Sequence, residues 1–167
     1  MSTGGKIGEN FQAINELWNG ASWTEVGDLN TARGYLCNIG TTTAAVAAGG
    51  SSPYTAVSEE FNGTAWTEGN NLNEVKSYLE SGFGIQTAAL VAGGYNPTSP
   101  TYKVSTEEYD GTSWTEVGNI PTATAGAAGG AGTTTAGIYA GGQTPSATNA
   151  TYEWTGPAAA AVTFTSS

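Results

Sequence analysis

The ten residues EEFNGTAWTE at positions 59–68 have a near-copy upstream, ELWNGASWTE at 16–25, and another downstream, EEYDGTSWTE at 107–116. A shorter fragment, TYEWTG, follows at 151–156. Self-similarity at a fixed period marks a repeat architecture in which each unit is one supersecondary element. Each phrase holds an aromatic residue, one variable residue and a glycine: Trp18-Asn19-Gly20, Phe61-Asn62-Gly63, Tyr109-Asp110-Gly111 and Trp154-Thr155-Gly156. Asn-Gly and Asp-Gly favour tight hairpin turns because both residues tolerate positive φ. Three residues after each of the first three glycines comes Trp23, Trp66 or Trp114. The phrase therefore predicts a β-hairpin with an aromatic residue entering the turn and a tryptophan leaving it.

A second marker works outward from the first. Small apolar runs close on paired glycines: AAVAAGG at 44–50, AALVAGG at 88–94 and AGIYAGG at 136–142. Each is preceded by a Gly/Thr turn, namely IGTTT, FGIQT or AGTTT. This reads as another hairpin, with arms such as GYLCNI and TAAVAA, whose small and β-branched residues suit a crowded position. The tryptophans recur at intervals of 43 and 48 residues and the glycine pairs at 44 and 48. One unit is thus two hairpins, or four strands, in about 45 residues. Length variation is concentrated in SSPYTA and YNPTSPTYKV, as expected of surface loops. Helical periodicity is absent. The segment NLNEVKSYLES at 71–81 is the one helical candidate, and its counterpart DLNTARGYLCN at 28–38 reads as a loop and strand.

The composition narrows the function. The 167-residue chain carries a formal charge of -10, from 14 acidic and 4 basic residues. An acidic surface is a poor match for phosphate backbones, so direct nucleic-acid binding is not expected. Five Trp, eight Tyr and four Phe argue for a packed fold, because disordered chains are poor in aromatics. No apolar run approaches the roughly 20 residues that span a membrane, and residues 1–15 contain nothing like a signal peptide. Cys37 is alone and reads as a small buried residue.

Histidine is absent, which removes His-based acid–base catalysis, Ser-His-Asp and Cys-His arrangements, and the commonest metal ligand. Glu59-Glu60 and Glu107-Glu108 are adjacent in strands, so each pair points to opposite faces and cannot work together as glycosidase carboxylates do. One of each pair is expected in solvent and the other beside the aromatic arm. Calcium-loop and phosphate-loop patterns are missing. The chain is expected not to be an enzyme and to need no cofactor or metal.

The ordered set of small-residue strands ending in Gly-Gly, a variable loop, an aromatic third strand and a tryptophan opening the fourth resembles the kelch repeat, a β-propeller family. Carried onto this chain, the pattern covers Gly49-Gly50 with Phe61 and Trp66, Gly93-Gly94 with Tyr109 and Trp114, and Gly141-Gly142 with Trp154, over roughly residues 14–165. The family's arginine after the fourth strand is matched by Arg33 alone, and the third unit lacks its closing tryptophan. The resemblance implies an all-β fold of kelch-like blades, about three and a half units in a single domain: an outer hairpin at 11–29 and units at 31–70, 75–119 and 123–165, the last with a degenerate final strand. Trp23, Trp66 and Trp114 are expected to be equivalent packing residues, with Trp18 and Trp154 in truncated units.

Closed propellers typically need four to eight blades. Association of chains, which would supply the missing strands, is the economical solution; a small or open monomeric ring and a stacked β-solenoid are the alternatives. The Trp18/Trp23 hairpin and the tail from Ala158 to Phe164 are the expected exchanged elements. The Gly/Thr-rich style resembles kelch-like modules of tailed bacteriophages, which implies a non-catalytic virion component (tail, fibre or capsid-decorating protein) whose partners are copies of itself or other virion proteins. The other reading is a kelch-like module that binds a host-surface protein or glycan through the loops around Tyr54, Tyr95 and Tyr102.

Overall fold

The computed structural model of the protein describes residues 1–167 except 52, 80, 81, 100, 127, 128, 157–163 and 167, with backbone alone at 164–166. Among the described residues the regular structure is all β. It comprises small antiparallel sheets, each here called a blade. Blade 1 contains β1 (Ser2–Thr3), β4 (Asn15–Trp18) and β5 (Trp23–Val26), with the small hairpin β2 (Lys6–Ile7) and β3 (Asn10–Phe11) between β1 and β4. Blade 2 runs β6 (Cys37–Gly40), β7 (Ala45–Ala48), β8 (Ser58–Phe61), β9 (Trp66–Glu68). Blade 3 runs β10 (Gly82–Ile85), β11 (Ala88–Ala92), β14 (Thr106–Tyr109), β15 (Trp114–Val117), with β12 (Tyr95–Asn96) and β13 (Thr101–Tyr102) as its inserted hairpin. Blade 4 runs β16 (Gly129–Thr133), β17 (Ala136–Ala140), β20 (Thr151–Trp154), β21 (Phe164–Ser166), with β18 (Gln143–Thr144) and β19 (Ser146–Ala147) inserted.

The repeat phrases form the outer hairpins in one shared register. Trp18 pairs with Trp23, Phe61 with Trp66, Tyr109 with Trp114 and Trp154 with Phe164. The described residues of the segment, 71–79, form no helix, because they make a connection between blades 2 and 3, and residues 80 and 81 lie outside the described residues. Each chain end adds a strand to its blade. Phe164 occupies the place of the closing tryptophan, so the final strand is supplied within the chain by β21 pairing with β20. The tail expected to be exchanged therefore ends in a strand of its own blade, and its residues 158–163 lie outside the described residues. At the other end, Ser2–Thr3 adds a strand to the N-terminal hairpin, and Gly4-Gly5 is a further member of the glycine-pair series.

These pairs share one backbone geometry. The φ values are 64° and 117° at Gly4-Gly5, 66° and 110° at Gly49-Gly50, 69° and 103° at Gly93-Gly94, and 71° and 111° at Gly141-Gly142. Side chains rarely adopt these values, which is why glycine recurs there. The pair turns the chain into the inserted hairpin in blades 1, 3 and 4, and into the loop at 51–57 in blade 2.

The core lies between blades rather than within them. Successive residues of a strand face opposite ways. Ala45 and Ala47 pack with Phe61 and Trp66 against Val26 and Leu29, joining blade 2 to blade 1. Val46 and Ala48 face the other way and meet Ala89, Val91, Tyr109 and Trp114 of blade 3. Leu90 and Ala92 in turn meet Tyr139, Tyr152 and Trp154 of blade 4. Small residues in the inner strands permit this close approach. A Cβ on Gly82 would sit 2.5 Å from Cys37 Sγ and 2.6 Å from Ile39 Cδ1, across the blade 2–blade 3 junction.

Candidate functional site

Three arrangements stand out when the chain is followed from junction to junction. The first is a buried ion pair on the exit segment of each early blade. Arg33 leaves blade 1 and donates to Glu59 of blade 2 at 2.8 Å, with further bonds to the carbonyls of Gly49 at 2.7 Å and Val57 at 2.9 Å. The backbone and side-chain amides of Asn30 both donate to the other Glu59 oxygen, at 2.7 and 2.8 Å. The next junction repeats the design with Lys76 at 3.2 Å from Glu107, and with Asn73 donating twice to that carboxylate at 2.7 and 2.9 Å. Burial pushes both the Arg33 guanidinium and the Lys76 ammonium below their ordinary values, and the facing glutamates oppose that shift. Glu59 and Glu107 are thus buried ion-pair partners, and Glu60 and Glu108 are half-buried, which corrects the expectation of a solvated residue in each Glu-Glu pair. Lys76 is the counterpart of Arg33 that sequence reading missed; its position three residues after Asn73, matching Asn30 and Arg33, was the available signal. At the third junction Thr124 and Tyr152 take the two places, and Thr124 hydrogen-bonds Tyr139 at 3.0 Å.

The second arrangement is a pair of uncovered faces. Phe61, Trp66, Tyr109, Trp114 and Trp154 are all buried against the preceding blade, and Trp114 Nε1 donates to Ser58 Oγ across that junction. Trp18 and Trp23, in register with them, are 46% and 52% exposed. Trp23 is therefore not packed as Trp66 and Trp114 are, because no blade precedes its own among the described residues. Glu16 shares that face and lies directly opposite Glu25, as Glu59 lies opposite Glu68 and Glu107 opposite Glu116. On blade 4 the reverse holds: Ile138 is 52% exposed, whereas Val46 and Leu90 at the same place in blades 2 and 3 are fully buried.

The third arrangement is a cleft of about 260 Å³ lined by Tyr78, Tyr95, Tyr102, Ala125, Gly126 and Gln143. Of the loop tyrosines singled out from sequence, Tyr95 and Tyr102 come together here, with ring centroids 5.3 Å apart. Tyr54 is exposed in a separate loop and lines no part of the cleft. Tyr78 was missed, since nothing in its sequence context distinguishes it from a loop residue. Among the described residues no group of three or more His, Cys, Asp or Glu is placed to hold a metal ion. No helix of the described residues is long and apolar enough to cross a membrane.

No protein-family model matches the chain, and no curated protein matches it. A solved structure described as the structure of YjhT superposes with a TM-score of 0.74 at 12% sequence identity, covering 93% of this chain and 52% of that one. At that identity the likeness concerns the fold alone. The chain spans about half the length of this neighbour.

Proposed function

We propose that the protein is a non-catalytic structural subunit whose two uncovered blade faces are covered in a larger assembly. The observation that carries this reading is the exposure of Trp18 and Trp23, at positions where Phe61, Trp66, Tyr109, Trp114 and Trp154 of later blades are buried against a neighbour. Two adjacent tryptophans in solvent leave a large apolar area wet, and burying such a side chain is worth roughly 1.5–3 kcal/mol or more. The opposite end offers Ile138 where a following blade would sit. The two faces carry the same residue classes that already meet inside the chain, so a second copy packing head to tail repeats a contact the fold makes three times. The resemblance of the Gly/Thr-rich repeats to kelch-like modules of tailed bacteriophages makes a virion the proposed setting, with other virion proteins as the remaining partners.

Sedimentation velocity on the full chain tests the reading. The chain is expected to associate, and Ile138→Asp together with Trp23→Ser is expected to return it to a folded monomer. A full chain that stays monomeric at every concentration, alone and with the other proteins of its particle, would overturn it.

A further inference from the structure

We infer that blade 4 of one copy docks on blade 1 of a second copy through two hydrogen bonds, with Glu153 accepting the indole N–H of Trp18 and the Thr151 hydroxyl accepting that of Trp23. The inference rests on the assembly reading above and adds to it the partner and the atoms that meet. It begins with what each side of a junction offers inside the chain. On the face that a blade turns toward the next one, an acid lies opposite an apolar residue: Glu60 opposite Val46, Glu108 opposite Leu90 and Glu153 opposite Ile138. The ring that ends the third strand of the following blade is Tyr109 after Glu60 and Trp154 after Glu108, and each ring carries a polar hydrogen. The Tyr109 hydroxyl donates to Glu60, and Trp154 Nε1 donates to the Thr134 carbonyl at 2.7 Å. In blade 1 the place of these acids is held by Leu17, which lies opposite Thr24 as Glu60 lies opposite Thr67. The ring that follows Leu17 is Phe61, which has no donor. A carboxylate therefore precedes a donor ring, and leucine precedes the ring without one.

The tryptophan that opens the fourth strand obeys a similar rule. Trp114 Nε1 donates to Ser58 Oγ of the preceding blade at 3.3 Å. Blade 1 has Asn15 at the place of Ser58, and its side chain is bonded to Thr3 and to the Gly27 carbonyl. Trp66, which follows it, has a buried Nε1 with no hydrogen-bond partner among the described residues. Such a tryptophan is satisfied when the blade before it offers a hydroxyl. Blade 4 offers Thr151, which lies opposite Ala140 as Ser58 lies opposite Ala48.

The two ends of the blade series hold the matching halves. Glu153 is exposed and Ile138 is exposed beside it, while Trp18 and Trp23 are exposed on blade 1. A copy thus brings two N–H donors to a carboxylate and a hydroxyl, and two indole rings to the Ile138 side chain. The contact is heterologous, since each copy uses a different patch at its two ends. Glu16 sets its limit. Arg33, Lys76 and Lys103 are held in ion pairs within the chain and Lys6 pairs with Glu9, so a copy brings no cation to Glu16. That carboxylate opposes the contact.

Sedimentation velocity on the full chain at neutral pH tests the pairing, with the melting midpoint of each variant measured alongside. Trp18→Phe keeps the ring and removes the donor, and Glu153→Leu removes the acceptor; each is expected to weaken association about tenfold. The double variant recreates the Leu17 and Phe61 combination of the first junction and is expected to regain most of the lost affinity. Glu16→Gln is expected to tighten association. Single variants that associate as tightly as the wild type overturn the inference and leave the assembly reading standing, as does a double variant weaker than either single one. Looser association of Glu16→Gln overturns it too, because this register brings that carboxylate no cation. A wild-type chain that is monomeric alone and binds another protein of its particle overturns the inference and spares the assembly reading, whereas a chain that binds neither overturns both.

Discussion

The guanidinium of Arg33 lies 2.8 Å from the Glu59 carboxylate, with the two side chains 0% and 1% exposed. Taking two charges out of water is costly, and their attraction offsets that cost only while both are present and hydrogen-bonded. Glu59→Gln leaves the Arg33 charge buried beside a neutral amide. It is expected to destabilise the fold by about 3–5 kcal/mol. Combining it with Arg33→Met is expected to recover a large part of the loss, although Asn30 and the Gly49 and Val57 carbonyls lose partners. Thr124 and Tyr152 already fill the two places at the third junction without any charge. Urea melts of the single and double variants measure the coupling. A double variant less stable than Glu59→Gln would show that the pair does not act as a unit.

Trp66 and Trp114 are each 5% exposed, whereas Trp23 is 52% exposed at the same place in its blade. Truncating a large buried aromatic to alanine typically costs about 3–5 kcal/mol, through lost burial and the cavity left behind. Trp66→Ala and Trp114→Ala are expected to fall in that range. Trp23→Ala is expected to cost under about 1 kcal/mol in the monomer, as surface substitutions do. Equal losses in all three, measured on monomeric protein, would mean that the N-terminal hairpin is packed as the others are.

The blade hairpins were legible because their signals are local: Asn62-Gly63 or Asp110-Gly111 sets a turn, and alternation sets the faces. Glycine pairs were legible for the same reason, since φ near 66° and 110° confines the choice of residue. What escaped was set by packing between blades. Nothing local separates Trp23 from Trp66; the difference is whether another blade covers the face. Glu59 reads as either a solvated acid or a neighbour of the aromatic arm until Arg33, 26 positions earlier, is seen to reach it. Lys76 was passed over because the resemblance named arginine, though the buried site asks only for a cation. The cleft lined by Tyr78 was invisible for a further reason: its other residues, Tyr95, Tyr102, Ala125, Gly126 and Gln143, come from segments far apart in the sequence.

Acid stability gives the last expectation, and it rests on Glu74. Burial alone would raise its carboxyl, but the hydrogen bonds from Lys103 and Ser105 and the charges of Lys76 and Lys103 hold it below its ordinary value of 4.5. Lys103 Nζ is 2.6 Å away and Lys76 Nζ 3.7 Å. A carboxylate depressed in the folded state binds fewer protons there than in the unfolded chain. Its stabilising contribution is therefore complete above the unfolded value and is lost as pH falls through the lower, folded one. Asp110 adds to the same trend, since the backbone amides of Ser113 and Thr112 hold its exposed carboxyl below 3.8. The melting midpoint is expected to be level from neutral pH down to about 5 and to drop below about 4.5. Glu74→Gln is expected to lower the midpoint near neutrality, with the two proteins converging once the pH has fallen below the depressed value of the native carboxyl. Thermal melts across that range check it, and a gap that stays constant down to the lowest pH would show that the Glu74 charge contributes nothing to holding Lys103 and Lys76.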